Sequence, residues 1–468
     1  MKRLTLTSND NTNSRSCSRF APNSAPNQCY FRPIDFIEQR TRQYGDFYQV
    51  KSKDSSYSIV TSNPQAIEEI FTTSGDRFEV GRGNQILAFL VGNNSLLLLD
   101  GKAHKNRRRL LMPPFHGESL EKCSDQIVKI TNEVIKNWQP NQIFVVRSVM
   151  QEITLRVILS VVFGMDSGEK CDRANGLPLR DRLRKLLTEL LEIFNTPINS
   201  SLIFYSFLQK DWGKFSPWGR FLRLKQEIKA LIQAEITQRR QLSNAELLAR
   251  RDILSLLILA KDENGQGMND EELHDELITL LFAGHETTAS ALSWLFYWIH
   301  YLPEVQTKLR FELNSFEKKL DEQSINNLSY LNAVIAETLR IYPIAIGTFG
   351  RFSTQPISVM GHDFQPNTWL MISIYALHHR EDLYPDANQF KPERFLEKSY
   401  SPYEYIPFGG GNRRCIGSAL ALLEMKLVTV TILQHFQLKL LNQRQIFPVR
   451  RGLTLAPPAG FKMKCQSY

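Results

Sequence analysis

Cys415 ends a glycine-rich stretch, Phe408-Gly-Gly-Gly-Asn-Arg-Arg-Cys415-Ile-Gly417. The apolar run from Ser418 to about Phe436 has a helical period, so the cysteine sits at a helix N-terminus. Unpaired N–H groups and the helix dipole favour negative charge there. The thiol is therefore expected to lose its proton easily, and the thiolate is the form that binds a soft metal. Gly409, Gly410, Gly411 and Gly417 let the backbone close around the sulfur and approach a flat ligand, and Arg413 and Arg414 add positive charge. A lone cysteine in a turn is usually a buried structural residue, so the assignment needs support from elsewhere in the chain.

A second group is Ala283-Gly284-His285-Glu286-Thr287-Thr288. An acid beside a hydroxyl, next to a small Ala-Gly pair, makes a proton relay with room for a flat ligand. The plainer reading has Thr287 and Thr288 bonding back to the preceding turn. These residues lie in a run that is apolar on nearly every face from Leu277 to Leu302. Asn269-Asp-Glu-Glu272 caps it and Pro303 ends it, giving a helix of about 50 Å. The polar residues at its middle argue against a membrane span and for a helix crossing the core.

Two weaker signals accompany these. His104 and Arg108 are four apart in the basic run from Gly101 to Arg109, so they share a helix face; spacing alone favours a solvated basic face. Glu337 and Arg340 are three apart, ordinarily a surface pair of little worth. They precede Tyr342-Pro343, and Lys391-Pro-Glu-Arg394-Phe follows.

The elements that must position these residues are mostly helical. Helices are expected over Pro33 to Tyr44, Pro64 to Phe71, Val146 to Phe163, Trp218 to Arg240, Ile253 to Lys261 and Tyr330 to Tyr342. Phe47–Val50 and Tyr57–Thr61 read as a hairpin, and Leu370 to Tyr375 as a strand. Leu183 to Lys210 is apolar and aromatic, with Phe194, Phe204, Tyr205 and Phe207. Residues 1–32 are rich in Asn, Ser and Pro and read as a polar tail without an apolar run. Residues 33–468 then form a single domain.

The chain has 468 residues, and its hydrophobic fraction of 42% with 22% charged residues is that of a globular protein rather than a disordered one. The net charge of +9 permits an acidic partner without naming one. No nucleic-acid partner is expected. The six cysteines are scattered, which excludes a disulfide scaffold and points to a reducing compartment, the cytoplasm.

Phe408, Gly411, Arg413, Cys415 and Gly417 fill the pattern Phe-x-x-Gly-x-Arg-x-Cys-x-Gly, which closely resembles the haem-binding loop of the cytochrome P-450 family, the haem-thiolate monooxygenases. The other signals fall in that family's order along the chain. The resemblance covers about Pro33 to the C-terminus. It implies a mainly α fold with a small β region, haem lying between the long central helix and the helix after the cysteine loop. It implies haem b with Cys415 as axial thiolate, His104, Arg108 and Arg351 on its propionates, and Ala283 and Gly284 at the haem-facing gap. Glu286 and Thr287 would deliver protons to O2. Glu337, Arg340 and Arg394 would form a buried network bracing the cysteine loop. Ile86, Leu87, Phe89, Leu90, Ile346, Phe349, Leu453 and Thr454 would line the substrate pocket.

The expected function is insertion of one oxygen atom of O2 into a lipophilic small molecule. Electrons would come from a ferredoxin-type or flavin reductase donor. Lys391, Arg414, Lys426 and the cluster Lys105 to Arg109 are the basic residues for an acidic ferredoxin-type protein to meet. A haem-thiolate isomerase or dehydratase often lacks the acid-hydroxyl pair, and a haem-binding sensor needs neither relay nor apolar pocket; both remain as alternatives.

Overall fold

The computed structural model describes residues 20–21, 32–51, 57–115, 117–164, 179–193, 209–211, 213, 216–250, 252–315 and 322–466. Phe20–Ala21, inside the expected tail, form a short strand β1 that pairs in parallel with β2 (Phe47–Lys51). Helix α1 (Pro33–Tyr44) starts on a proline, whose missing N–H costs nothing at that position, and stops at Gly45 with φ 84. Strand β3 (Tyr57–Thr61) pairs antiparallel with β2, Phe47 opposite Thr61, as the sequence suggests. Asn63 accepts from the Gln65 and Ala66 amides and so caps α2 (Pro64–Thr72).

Strand β4 (Phe78–Glu79) is followed by a segment of short turns and one helical turn over Ala88–Val91. Then come α3 (Gly101–Leu111), α4 (Glu118–Ile135), β5 (Ile143–Val145), α5 (Val146–Phe163), α6 (Leu179–Ile193) and α7 (Pro217–Arg239). Phe194, Phe204, Tyr205 and Phe207 lie outside the described residues.

The 32-residue helix α8 (Asp270–Tyr301) opens on a capping box in which Asn269 and Glu272 bond each other's backbone amides. Pro303 does not merely end it; it starts the next helix one residue after Leu302. Between Leu273 and His300 every residue of α8 is buried except Phe282, Ala283, Gly284, Glu286 and Thr287. A helix apolar all round is a core helix, and here α4, α5 and α11 (Ser418–His435) belong to the same cluster of buried side chains. No helix among the described residues is long and apolar enough to cross a membrane.

Helix α9 (Ser329–Ile341) precedes β6 (Arg351–Ser353), the β7 (Ile357–Val359) and β8 (His362–Phe364) hairpin, and β9 (Trp369–Ile372). The strand expected through Tyr375 stops at Ile372. Ser373 Oγ accepts from the Ala376 amide and turns the chain into α10 (Ile374–His378). That side-chain bond offers the backbone a partner that a sheet ladder does not. The main sheet has the order β1-β2-β3-β9-β6-β4. Strands β10 (Gln437–Leu440), β11 (Val449–Arg451), β12 (Thr454–Ala456) and β13 (Lys462–Gln466) form two smaller units, β10-β13-β5 and the hairpin β11-β12.

Candidate functional site

The cysteine loop is shaped by glycine at two points. Gly411 has φ 62, where L side chains are strained. A Cβ on Gly410 would fall 2.2 Å from Cε2 of Phe71 on α2, so nothing larger fits. The Gly409 amide donates to Ile406 O at 2.9 Å and the Cys415 amide to Phe408 O at 3.0 Å, which closes the loop. Cys415 lies two residues before Gly417, the N-cap of α11, and its side chain reaches open space although protein surrounds it. A Cβ on Gly417 would meet no atom within 4 Å.

The N–H group and cations expected to ease ionisation of the thiol are present, and burial opposes them. Burial pushes the Cys415 thiol above its ordinary value, and the Gly417 amide, Arg108 and Arg414 offset that only in part. Removing a thiolate from water costs more than the helix end returns. A cation in front of the sulfur would offset that cost.

Around the loop lies a group of cations short of anions. Arg413 donates through Nη2 to Leu99 O and Asp100 Oδ1, both at 2.6 Å, while its buried Nε has no partner. Burial, with Arg108 beside it, lowers the Arg413 pKa to about 10 against the pull of Asp100. Arg351 is buried, its pKa held to about 10 by burial and then by Arg413. It reaches only Thr348 Oγ1 and the Phe349 carbonyl, at 3.2 and 3.4 Å, and stacks over Phe71. Burial lowers Arg108 too, and His104 falls from 6.5 to about 4 by burial and then by Arg413 and Arg108. Among the described residues, Asp100 is the one carboxylate paired with this group. Three guanidiniums and a neutral imidazole against one carboxylate call for a ligand carrying acid groups of its own. The spacing-based reading of a solvated basic face fails for His104 and Arg107, which point inward.

Glu337 and Arg340 are fully buried, not a surface pair. Arg340 Nε and Nη2 donate to the two Glu337 oxygens at 2.6 and 2.8 Å. Arg394 Nε adds a bond at 3.2 Å and the Lys391 amide one at 2.8 Å. Arg340 Nη1 donates to His378 O at 2.7 Å, and His378 Nε2 in turn accepts the Ile406 amide at 3.0 Å. The path from α9 thus runs through α10 to the residue that begins the turn before Phe408.

On α8, Thr287 Oγ1 donates to Ala283 O at 2.6 Å, the back-bonded arrangement that the plainer reading describes. Ala283 is exposed although its helix is otherwise enclosed, so it faces open space inside the fold. Gly284 does not share that face: a Cβ there would come within 2.8 Å of Ile158 Cδ1 on α5. Its smallness serves the crossing of α8 over α5. Glu286 is turned to α5 as well, accepting from Arg147 Nη2 and, at 3.0 Å, from Gln151 Nε2. Arg147 is buried, its pKa lowered to about 9, and it also donates to Ser290 Oγ at 3.1 Å.

The eight expected pocket residues divide. Ile86, Phe349 and Leu453 expose about two-fifths of their surface (41%, 42% and 41%), as residues lining an open cavity would. Leu87 is buried against Val91 and Leu98, Ile346 packs on Ile37 and Tyr375, and Phe89 lies 5.3 Å from Trp218 and 5.4 Å from Phe221 on α7. These three are packing residues. Leu90 is half-buried, and Thr454 Oγ1 bonds Arg451 O within the β11-β12 hairpin. Among the expected donor-docking residues, Arg107 is not available: it is buried between Glu272 and Glu276 at 2.6 and 2.9 Å.

Sequence reasoning missed Asp100, Arg147 and His378. An acid at the N-cap of a basic helix is a readable signal for the first. The other two sit in runs with no motif of their own.

With that geometry in place, the likeness to known proteins is specific. The cytochrome P450 family model matches residues 32–465. A protein named cytochrome P450 135B1 from Mycobacterium tuberculosis (strain ATCC 25618 / H37Rv) is 33% identical over 93% of this chain and 87% of its own length. Cytochrome P450 138 from the same strain is 30% identical over 92% of each chain. Among solved structures, retinoic acid-bound cyanobacterial CYP120A1 superposes with TM-score 0.76 at 25% identity, covering 94% of this chain and 96% of that one. Haem b with its iron on a cysteine thiolate, and O2 as co-substrate, come with this family and fit an exposed loop thiol beside a cation group short of acids. The chain belongs to the cytochrome P450 family.

Proposed function

We propose that this chain inserts one oxygen atom of O2 into a lipophilic small molecule, with Cys415 as the residue whose thiolate would hold the haem iron. The observation that carries the reading is the pairing of Cys415 with the under-neutralised group His104, Arg108, Arg351 and Arg413. Bound haem supplies the activation of O2. The residues of the chain do the rest. Arg108, Arg351 and His104 would hold the propionates, while Arg413 ties the cysteine loop to Asp100. Gly417 would leave room for the ring, and Ala283 would present a small surface at the open stretch of α8.

Thr287 stands beside Ala283 at the open stretch of α8, and its hydroxyl holds water in place for proton transfer. Glu286 feeds protons to that water after leaving Arg147. The exposed Ile86, Phe349 and Leu453 offer apolar contact to the substrate, worth about 0.8 kcal/mol per methylene buried. The cyanobacterial relative holds retinoic acid, a molecule of that apolar kind. Electrons come from a ferredoxin-type protein meeting exposed Arg414 and its neighbours, and opposite charge makes that encounter sensitive to salt. The six scattered cysteines, with no C-x-x-C pair, favour a reducing compartment such as the cytoplasm.

The acid-hydroxyl pair at the open stretch of α8 favours this reading over an isomerase or a sensor. The test is product formation that requires O2 and consumes NADPH through a reductase and ferredoxin. Turnover of a peroxide substrate without O2, or haem binding without any turnover against a lipid and terpenoid library, would overturn it.

A further inference from the structure

The segment from Arg82 to Leu99 is a strap with both ends tied to one carboxylate. Asp100 Oδ1 accepts the Val80 and Gly81 amides at 2.8 and 2.9 Å, and Oδ2 the Arg82 amide at 3.2 Å. The C-terminal arm is fixed along its length. Arg413 holds the Leu96 and Leu99 carbonyls, Asn84 Nδ2 bonds Leu97 O at 2.9 Å, and Arg107 bonds Asn94 O at 2.9 Å. The other arm, from Gln85 to Val91, carries Ile86 and Leu90; Lys225 Nζ on α7 donates to Phe89 O, and the Phe89 ring packs on Trp218 and Phe221.

The two arms meet at a bend that α8 grips. The Asn94 amide and its Nδ2 both donate to Asp275 Oδ2 at 3.0 Å, and Thr279 Oγ1 donates to Ser95 Oγ at 2.7 Å. Gly92 has φ 82, and a Cβ built on it would lie 2.0 Å from Asp275 Oδ1. The carboxylate therefore occupies the place where any other residue's side chain would be. Asp275 is itself buried, and its pKa stays low because His274 and Asn94 bond it, although burial works the other way.

We propose that Asp275 is a positioning residue that sets the height of the Gln85–Val91 arm above the open stretch of α8, and so sets which substrates fit. The reading rests on this arm lying over the substrate pocket, as the exposed Ile86 implies. Asp275 sits eight residues before Ala283, on the same helix, so it fixes the arm against the element that carries the relay. A carboxylate bonded twice to one loop residue, with the loop's glycine pressed on it, has one seat. Removing the carboxylate leaves Gly92 and Asn94 without that seat and loosens the bend from which the arm is hung.

The experiment is hydrogen exchange by mass spectrometry on the holoenzyme. Asp275→Ala should raise exchange at Gln85–Val91 by about tenfold or more, the scale expected for loss of bonds to a buried charge. Exchange in Leu292–Ile299 should not change. Gly92→Ala should act alike, because its Cβ displaces the same carboxylate, and the double variant should add nothing further. Asp275→Asn keeps one acceptor and should fall between. Ligand association, followed by the Soret shift with a fatty acid, should speed up by a similar factor, and the distribution of hydroxylated products should broaden. Unchanged exchange at Gln85–Val91 in folded Asp275→Ala or Gly92→Ala overturns the proposal. Should Asp275→Ala fail to hold haem, Gly92→Ala and Asp275→Asn decide by the same readout. Exchange that rises while ligand association and products stay unchanged would keep the hinge but overturn its role in the pocket. The red-shifted ferrous carbonyl band of the wild type reports the haem-thiolate assignment separately.

Discussion

His378 Nε2 accepts the backbone amide of Ile406 at 3.0 Å, while the carbonyl of the same histidine accepts Arg340 Nη1 at 2.7 Å. One residue of a five-residue helix therefore couples the buried Glu337-Arg340-Arg394 group to the start of the cysteine loop. Burial, and then Arg340, hold the ring well below its usual pKa, so it stays neutral and Nε2 stays an acceptor.

His378→Ala should weaken the loop rather than the network, because the backbone carbonyl that meets Arg340 remains. Leaving the Ile406 amide unpaired costs about 1–3 kcal/mol. The expected outcome is faster loss of the red-shifted ferrous carbonyl band on mild heating, with His378→Gln, which can still accept, behaving closer to wild type. Equal band stability in all three proteins would remove His378 from the brace.

Arg147 and Glu286 predict opposite failures. Arg147→Ala leaves the Glu286 carboxylate in a poorly solvated place with Gln151 as its remaining named partner, and breaking such a pair costs about 3–5 kcal/mol. The melting temperature should fall clearly, and Arg147→Lys should recover part of it. Glu286→Gln should instead keep the fold and slow every turnover. Thermal melts and steady-state rates of the three variants, taken together, separate the structural role from the proton role.

Thr287→Ala removes a small group from a helix that tolerates alanine well, so haem content and substrate affinity should stay near wild type. NADPH consumption should continue while hydrogen peroxide replaces product. Full coupling of electrons to product in this variant would deny the hydroxyl any part in proton delivery.

Acid should destabilise the protein through its buried histidines. Burial lowers both His285 and His300 from 6.5 to about 4, and each ring has one bond to a backbone carbonyl, Gln151 O and Phe296 O. Between those pH values the unfolded chain takes up protons that the folded one refuses. Stability is then complete above about 6.5 and falls as pH drops toward 4, by about 1.4 kcal/mol per unit for each ring. His300→Gln should flatten the melting temperature against pH in that window. An unchanged slope would show that His300 does not contribute.

Much of the architecture was legible because single residues force it. Pro33 and Gly45 bracket α1, and the Asn269-Glu272 box starts α8, so those bounds could be read locally. The cysteine loop was legible for the same reason: its glycines answer to contacts within a few residues and to Phe71. Orientation was not legible where a helix is apolar on every face. Nothing in the order of residues says that Gly284 meets Ile158 while Ala283 faces open space. Nor can the run Arg107-Arg108-Arg109 say which arginine turns inward, since Glu272 and Glu276, which take Arg107, lie far along the chain. For Cys415 the helix end is visible in sequence, while the protein packed around the thiol, which opposes its ionisation, is not.

The central claim is that Cys415 binds the iron of haem, and the ferrous carbonyl spectrum tests it most directly. Wild-type protein should show the red-shifted Soret band of a thiolate ligand. Cys415→Ser should lose it while Cys123→Ser and Cys465→Ser keep it. A red-shifted band that survives Cys415→Ser would contradict the assignment.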